Sequence, residues 1–345
     1  MIEIDGKYGE GGGQIVRTSL ALSSILEVPV SITDIRGNRK KPGLKPQHVT
    51  CVNALAKITG AEAHGAKLES AELVFKPRTR RSGVFSFNVA DIKSSAGSVT
   101  LILQALLPPL LFGSEKSQVT LRGGTHVEWS PSAHYVMHVF LPMLKKMGAK
   151  VNLSLGRWGW YPKGKGSVTC EVEPVQELNS IQLNQRSELK ALRGLSVSSK
   201  LPMGVAKRLR RKADGLLQEA GFDPHIRMFD VPAACPGAIF FLWAEFEECW
   251  AGFGGLGRRG RPAEDVSQDA VSQFLKYMQT NSAIEEHLAD QLIIYMALAQ
   301  GLSSFTTSLI TQHLLTGIWV VEQFLPVKFE VEGNEGEPGK VTRVK

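Results

Sequence analysis

Residues 47–63 read QHVTCVNALAKITGAEA, and residues 134–151 read HYVMHVFLPMLKKMGAKV. Both are apolar runs of helical length. They stop on a matching phrase, Thr59-Gly60-Ala61 in one and Met147-Gly148-Ala149 in the other. Glycine there suits the left-handed residue that closes a helix. Each run also occupies the same place in a longer series. In the first series, GGGQIVRTSLALSSILEV (11–28) reads as a helix and VSITDIRG (30–37) as a strand, before the helix at 47–63 and further strands. Ile15, Leu20, Leu22 and Ile25 fall roughly at helical spacing, whereas Val30 and Ile32 alternate as in a strand. In the second, SAGSVTLILQALLPPLLF (95–112) and SQVTLRGG (117–124) precede 134–151, and strands follow up to CEVEPV (170–175). In the third, HLADQLIIYMALAQG (287–301), SSFTTSLI (303–310) and HLLTGIWVVEQFLPVKFEV (313–331) keep the order.

Any α/β chain offers helix–strand echoes, but the shared order and the repeated Gly-Ala stop favour true repeats. The third series starts near residue 285, which leaves a gap of domain size at 180–272. That gap holds a basic helical run, VAKRLRRKADGLLQEAG (205–221), and an apolar strand, GAIFFLWAEF (237–246). The expected fold is α/β (α+β): a large three-repeat domain from residues 1–179 and 273–345, with a smaller α/β domain, 180–272, inserted between repeats two and three.

The chain has 345 residues, 43% of them hydrophobic, enough to bury large cores. Its net charge of +7 permits polyanionic substrates without establishing one. Four cysteines, Cys51, Cys170, Cys235 and Cys249, form no CxxC pair and no zinc or disulfide framework. The start, MIEIDGKYGE, has no secretory pattern. The most apolar run, 99–112, is too short to span a bilayer and is interrupted by Gln104 and Pro108-Pro109. The expected location is the cytoplasm, with no membrane partner.

Four stretches have residues suited to chemistry. GEGGGQIVRTS (9–19) fits neither the P-loop nor the dinucleotide-binding glycine pattern. A glycine turn that opens a helix presents free N–H groups to an anion, with Arg17 a turn further in. A tight packing turn requiring positive φ is the alternative. The loop IRGNRKKPGLKPQH (35–48) carries Arg36, Arg39, Lys40, Lys41 and Lys45 with no acid. It either grips phosphate or is simply solvated, and KPRTRR (76–81) and GRRGR (257–261) are equally ambiguous. His134 and His138 share an i, i+4 spacing with His126 upstream, but the glutamate of HExxH is absent, so a structural or substrate-facing role is favoured over a metal site. His313 stands where a strand-like run meets a helix-like run, a position suited either to attack on a ligand or to capping. In EEHLADQL (285–292) the acids also suit the positive end of a helix dipole.

Together the phrases GEGGGQIVR, IRGNRKKPGLKPQH, SSAGSVTLILQ, GGTHVEWSP, WYPKGKG, HLADQL and HLLTGIWVVEQFLPVKF resemble, in this order, the RNA 3′-terminal phosphate cyclase family from residue 3 to about 330. The resemblance implies βαβαββ-type repeats with an inserted domain. It implies ATP-dependent conversion of an RNA 3′-phosphate to a 2′,3′-cyclic phosphodiester, with ATP, a divalent metal (Mg or Mn) and an RNA carrying a 3′-phosphate end as cofactors and partners. It makes His313 the residue that becomes adenylylated. It places Gln104, Pro131, His287, Leu288, Ala289, Asp290, Gln291 and an aromatic near Phe253 in the nucleotide site, with Glu10, Gln14 and Arg17 lining the cleft. Arg36, Arg39 and Gln47 fall near the phosphates, and no residue is assigned to the metal. Three departures stand out: Lys165 breaks a glycine run, Gly317 replaces a common Asn, and His287 replaces a frequent aromatic. Two other classes compete: a non-catalytic relative acting in ribosomal RNA processing, which lacks the histidine, and an enolpyruvyl-transferase-like enzyme.

Overall fold

The computed structural model describes residues 1–344. The chain begins with β1 (Ile2–Asp5), α1 (Gly13–Leu26), β2 (Val30–Thr33), α2 (Pro46–Thr59), β3 (Glu62–His64) and β4 (Leu73–Lys76). Strands β1 and β2 run parallel, and β4 lies antiparallel between β2 and β3. The strand order is therefore β1-β2-β4-β3.

The next stretch has β5 (Val84–Asn88), α3 (Val99–Leu111) and β6 (Ser117–Gly123). A helical run follows, made of α4 (Ala133–Tyr135), a π-turn (Val136–Phe140) and α5 (Leu141–Lys146), then β7 (Lys150–Arg157) and β8 (Gly166–Glu173). This sheet has the order β5-β6-β8-β7, with the same parallel and antiparallel relations as the first. Helix α3 runs through Pro108 and Pro109, which have no N–H to donate to the carbonyls of Gln104 and Ala105.

Short strands β9 (Leu178–Asn179) and β10 (Gln182–Leu183) come next. A fourth unit then has β11 (Leu189–Ser199), α6 (Gly204–Glu219), β12 (His225–Asp230), β13 (Gly237–Phe246), β14 (Trp250–Leu256) and α7 (Ala263–Gln279). Its sheet order is β12-β11-β13-β14. The chain continues with α8 (Glu286–Leu298), β15 (Ala299–Gln300), β16 (Ser304–Thr307), α9 (Gln312–Phe324), β17 (Phe329–Glu332) and β18 (Gly339–Arg343). Strand β10 pairs with β16 to give the order β10-β16-β18-β17, again with one parallel pair followed by antiparallel ones, while β15 pairs with β9.

The α/β class thus holds, and three sheets share one strand order. The Gly-Ala phrases act through backbone geometry. Gly60 and Gly148 take φ of +61° and +92°, and the amides of Ala61 and Ala149 bond back to Ala56 and Leu144. Helix α1 packs on α3 and α9, and α9 packs on α8. That packing brings the N-terminal turns of α1 and α9 together, with α8 beside them. Among the described residues, no helix is long and apolar enough to cross a membrane.

Candidate functional site

The glycine turn is a crowded cradle. Gly9 and Gly11 have φ of +53° and +58°, and Gly12 precedes α1 with no side-chain cap on the helix. The first N–H groups of α1 are therefore left for an anion. Little room remains on the far side. A Cβ on Gly13 would lie 2.3 Å from His48 Nε2, and one on Gly12 would lie 3.0 Å from Arg39 Nη2. His48 Nδ1 accepts the Lys45 N–H at 3.1 Å. Burial pushes the His48 pKa well below its ordinary value, assisted by Arg17, Arg36 and Lys45. A neutral His48 thus carries its proton on Nε2, directed at the turn. Sequence reading missed His48; the signal was a glycine run that demands a close neighbour.

His313 sits in the first turn of α9, whose Thr311 hydroxyl accepts the Leu314 N–H at 3.0 Å. Its Nδ1 bonds the Gln14 side-chain oxygen. Its Nε2 lies 2.7 Å from Glu10 Oε2, and Asp290 Oδ2 stands 3.6 Å from Nδ1. Burial favours a protonated Glu10, but His313 and Arg39 outweigh it and lower the Glu10 pKa. Burial raises the Asp290 pKa against the opposing pull of His313, His287 and Arg17. The two carboxylates around one imidazole are therefore tuned in opposite directions. Such tuning marks a site able to hold and move a proton.

The neighbouring cavity is lined by Gln14, Arg17, Gln104, Asp290, Gln291 and Gly317, among others. Gln104 donates to Gln291 at 2.5 Å, and Gln291 donates to the His287 carbonyl. Glu285 caps α8, accepting the His287 N–H at 2.7 Å and the Tyr135 hydroxyl.

Several expected members lie elsewhere or are otherwise engaged. Leu288 and Ala289 are fully buried, because helical periodicity turns them into the core while His287, Asp290 and Gln291 face outward. Phe253 is 5% exposed and packs on Phe274 and Tyr277, so its ring is held inside the fourth unit. Arg36 donates to the carbonyls of Lys41 and Gly43 at 2.7 and 3.0 Å, tying its own loop. Gln47 accepts the Ser98 N–H at 2.9 Å, joining the starts of α2 and α3. Arg39 pairs with Glu10. The Pro131 carbonyl accepts the Thr100 hydroxyl at 2.7 Å, one helical turn from Gln104.

A family model described as RNA 3′-terminal phosphate cyclase matches residues 8–331, across both the glycine turn and the His313 helix. The chain belongs to the RNA 3′-terminal phosphate cyclase family. An RNA 3′-terminal phosphate cyclase of Gloeothece citriformis is 45% identical over 327 residues, covering 94% of this chain and 93% of its own. One from Nostoc punctiforme is 40% identical, covering 100% of this chain and 99% of its own. One from Methylococcus capsulatus is 41% identical, covering 99% and 96%. A solved enolpyruvyl transferase from Streptomyces tendae covers 99% of this chain and 65% of its own at 14% identity, with a TM-score of 0.27, too low to bear on the fold.

The three departures from the cyclase family pattern have physical readings. Lys165 has φ of +57°, a conformation glycine adopts more freely. A Cβ on Gly317 would lie 3.0 Å from Gln14 Nε2, so glycine gives Gln14 space beside His313. The His287 side chain is exposed; desolvation by the groups around it opposes its charged form, but Glu285, Glu286 and Asp290 outweigh this and raise its pKa.

Proposed function

We propose that this chain converts an RNA 3′-terminal phosphate to a 2′,3′-cyclic phosphodiester at the expense of ATP, through a covalent His313–AMP adduct and an RNA adenylate. The observation that carries this reading is His313, held between Gln14, Glu10 and Asp290 at the mouth of an uncapped helix N-terminus. With Gln14 bonded to Nδ1, Nε2 is the free nucleophilic nitrogen once Glu10 withdraws or takes its proton. Nε2 attacks the α-phosphorus of ATP, and pyrophosphate leaves. The α1 amides, with Arg17 and Arg39, receive negative phosphate charge. AMP then passes from His313 to an oxygen of the RNA 3′-phosphate, turning the monoester into an activated phosphoanhydride. The neighbouring 2′-hydroxyl attacks that phosphorus and AMP departs, with orientation supplying most of the acceleration.

A divalent metal fits this site in part. Glu10 Oε2 is buried and faces His313 Nε2 at 2.7 Å, so a cation at Glu10 would share this carboxylate with the imidazole. Among the described residues, no cluster of three or more acidic, histidine or cysteine side chains is arranged to hold one. Glu10 would therefore share the ion with nucleotide phosphates, where it would neutralise charge on the pyrophosphate. The expected contacts of the 287–291 run reduce to His287, Asp290 and Gln291, together with Gln104 and Gln14.

We also propose the division into a three-repeat domain and an inserted one. Because β10 belongs to the third sheet and α7 runs through residue 272, its edges belong near 184 and 280 rather than 180 and 272. Intact-mass analysis after incubation with ATP and magnesium tests the chemistry: a single AMP adduct supports it. No adduct in the folded protein would overturn it.

A further inference from the structure

Two aromatic side chains stand in solvent on adjoining loops. Trp129 is 91% exposed and Tyr161 is 77% exposed. Large aromatic faces are costly to leave in water, and Trp129 additionally holds φ of +60°, unfavourable for a bulky residue. The loops are tied to each other. His126 bridges Trp160, and the amides of Thr125 and His126 donate to the Gly159 carbonyl at 3.0 and 3.1 Å. Between the same two loops His126 stacks on Trp158 at 4.3 Å, and Trp158 on Trp160 at 5.4 Å between centroids. The two loops that carry the exposed rings are therefore held together by backbone bonds and by this aromatic stack.

The surroundings are cationic. Residues 156–166 and 257–261 carry Arg157, Lys163, Lys165, Arg258, Arg259 and Arg261 and no acid. Arg258 pairs with Glu128, beside Trp129, which fixes the 257–261 loop at the same place, and Arg261 pairs with Asp269, so Arg157, Lys163, Lys165 and Arg259 carry the charge offered to phosphate. The patch also adjoins the cleft. Pro131, two residues from Trp129, is bonded to Thr100, which lies about 6 Å along α3 from Gln104.

We propose that Trp129 and Tyr161 form a stacking platform for single-stranded RNA, receiving bases upstream of the 3′ end that enters the cleft. The identity of the strand rests on the cyclase reading above. Aromatic faces accept any base, and the flanking cations follow the phosphates without reading sequence. A duplex hides its base faces and gains nothing from such rings.

The test is fluorescence anisotropy with a labelled, 3′-phosphorylated oligoribonucleotide of about ten nucleotides, without ATP, so that turnover plays no part. Trp129→Ala should bind the single strand roughly five- to a hundredfold more weakly, Tyr161→Ala should shift in the same direction, and Trp129→Phe should retain most of the affinity. The same strand annealed to its complement should bind wild type and variants alike. Because both side chains are exposed, unchanged melting temperatures confirm folding. Alanine variants within about twofold of wild type, equal losses for single strand and duplex, or no binding by wild type would each overturn the platform. Ring-dependent binding in a protein that forms no AMP adduct would support the platform while the cyclase chemistry failed.

Discussion

Replacing Arg39 with alanine removes a guanidinium that sits over the start of α1 and pairs with Glu10. The two side chains are 40% and 27% exposed, so the pair itself contributes only about 0.2–1 kcal/mol to stability. The melting temperature should therefore move little. The effect on phosphate is larger. A charge-assisted contact is worth about 1.5–3 kcal/mol, which is about ten- to a hundredfold in binding or rate. Losing Arg39 also removes one of the two groups that hold the Glu10 pKa down against burial. Single-turnover cyclisation of a 3′-phosphorylated oligoribonucleotide, below saturation, measures the outcome. Arg39→Ala should be slower by at least about tenfold at low salt. The gap should narrow as salt rises, because one fewer phosphate contact releases fewer counterions. A wild-type rate with a wild-type salt dependence would refute the reasoning and return the loop to a solvated surface.

His313→Ala should lose the acid-labile AMP adduct in intact-mass analysis while keeping the wild-type circular dichroism spectrum; a full adduct would reassign the nucleophile. Asp290→Ala should slow adenylylation with no RNA present by at least about tenfold, since its carboxylate faces His313. If only RNA-dependent steps suffer, Asp290 belongs to the strand and not to the nucleotide. Gly9→Ala places a Cβ 2.5 Å from Thr316 Oγ1 at a φ of +53°, and should cost about 1–3 kcal/mol in a urea titration. Burial first, then His138, lowers the His134 pKa from 6.5 to about 4, so its folded form resists protonation. His134's contribution to stability should accordingly be complete above about pH 6.5 and fall by roughly 3 kcal/mol as pH drops towards 4, a share of the acid loss that His134→Phe should remove.

What the sequence determined by itself was local or periodic. The Gly-Ala stops are legible because a helix end needs a left-handed residue, whatever surrounds it. The recurring helix–strand order is legible because side-chain period follows from backbone geometry. His313 and the glycine turn were legible as phrases, and their family resemblance assigned them roles. The meeting of His313 with Gln14, Glu10 and Asp290 was not. Gln14 and His313 are 299 residues apart, and they meet because α1 packs on α9. Nothing in the spacing of either phrase gives their separation in space. Packing also decided that Arg36 ties its own loop, that Arg39 pairs with Glu10 and that His48 closes the back of the turn. It turned Phe253 inward because alternate residues of β14 face α7. Strand β10, two residues long, has too short a pattern to be read, and only its pairing with β16 assigns it to the third sheet. Charge pairing and burial depend on what lies across a packed interface, and those neighbours come from distant parts of the chain.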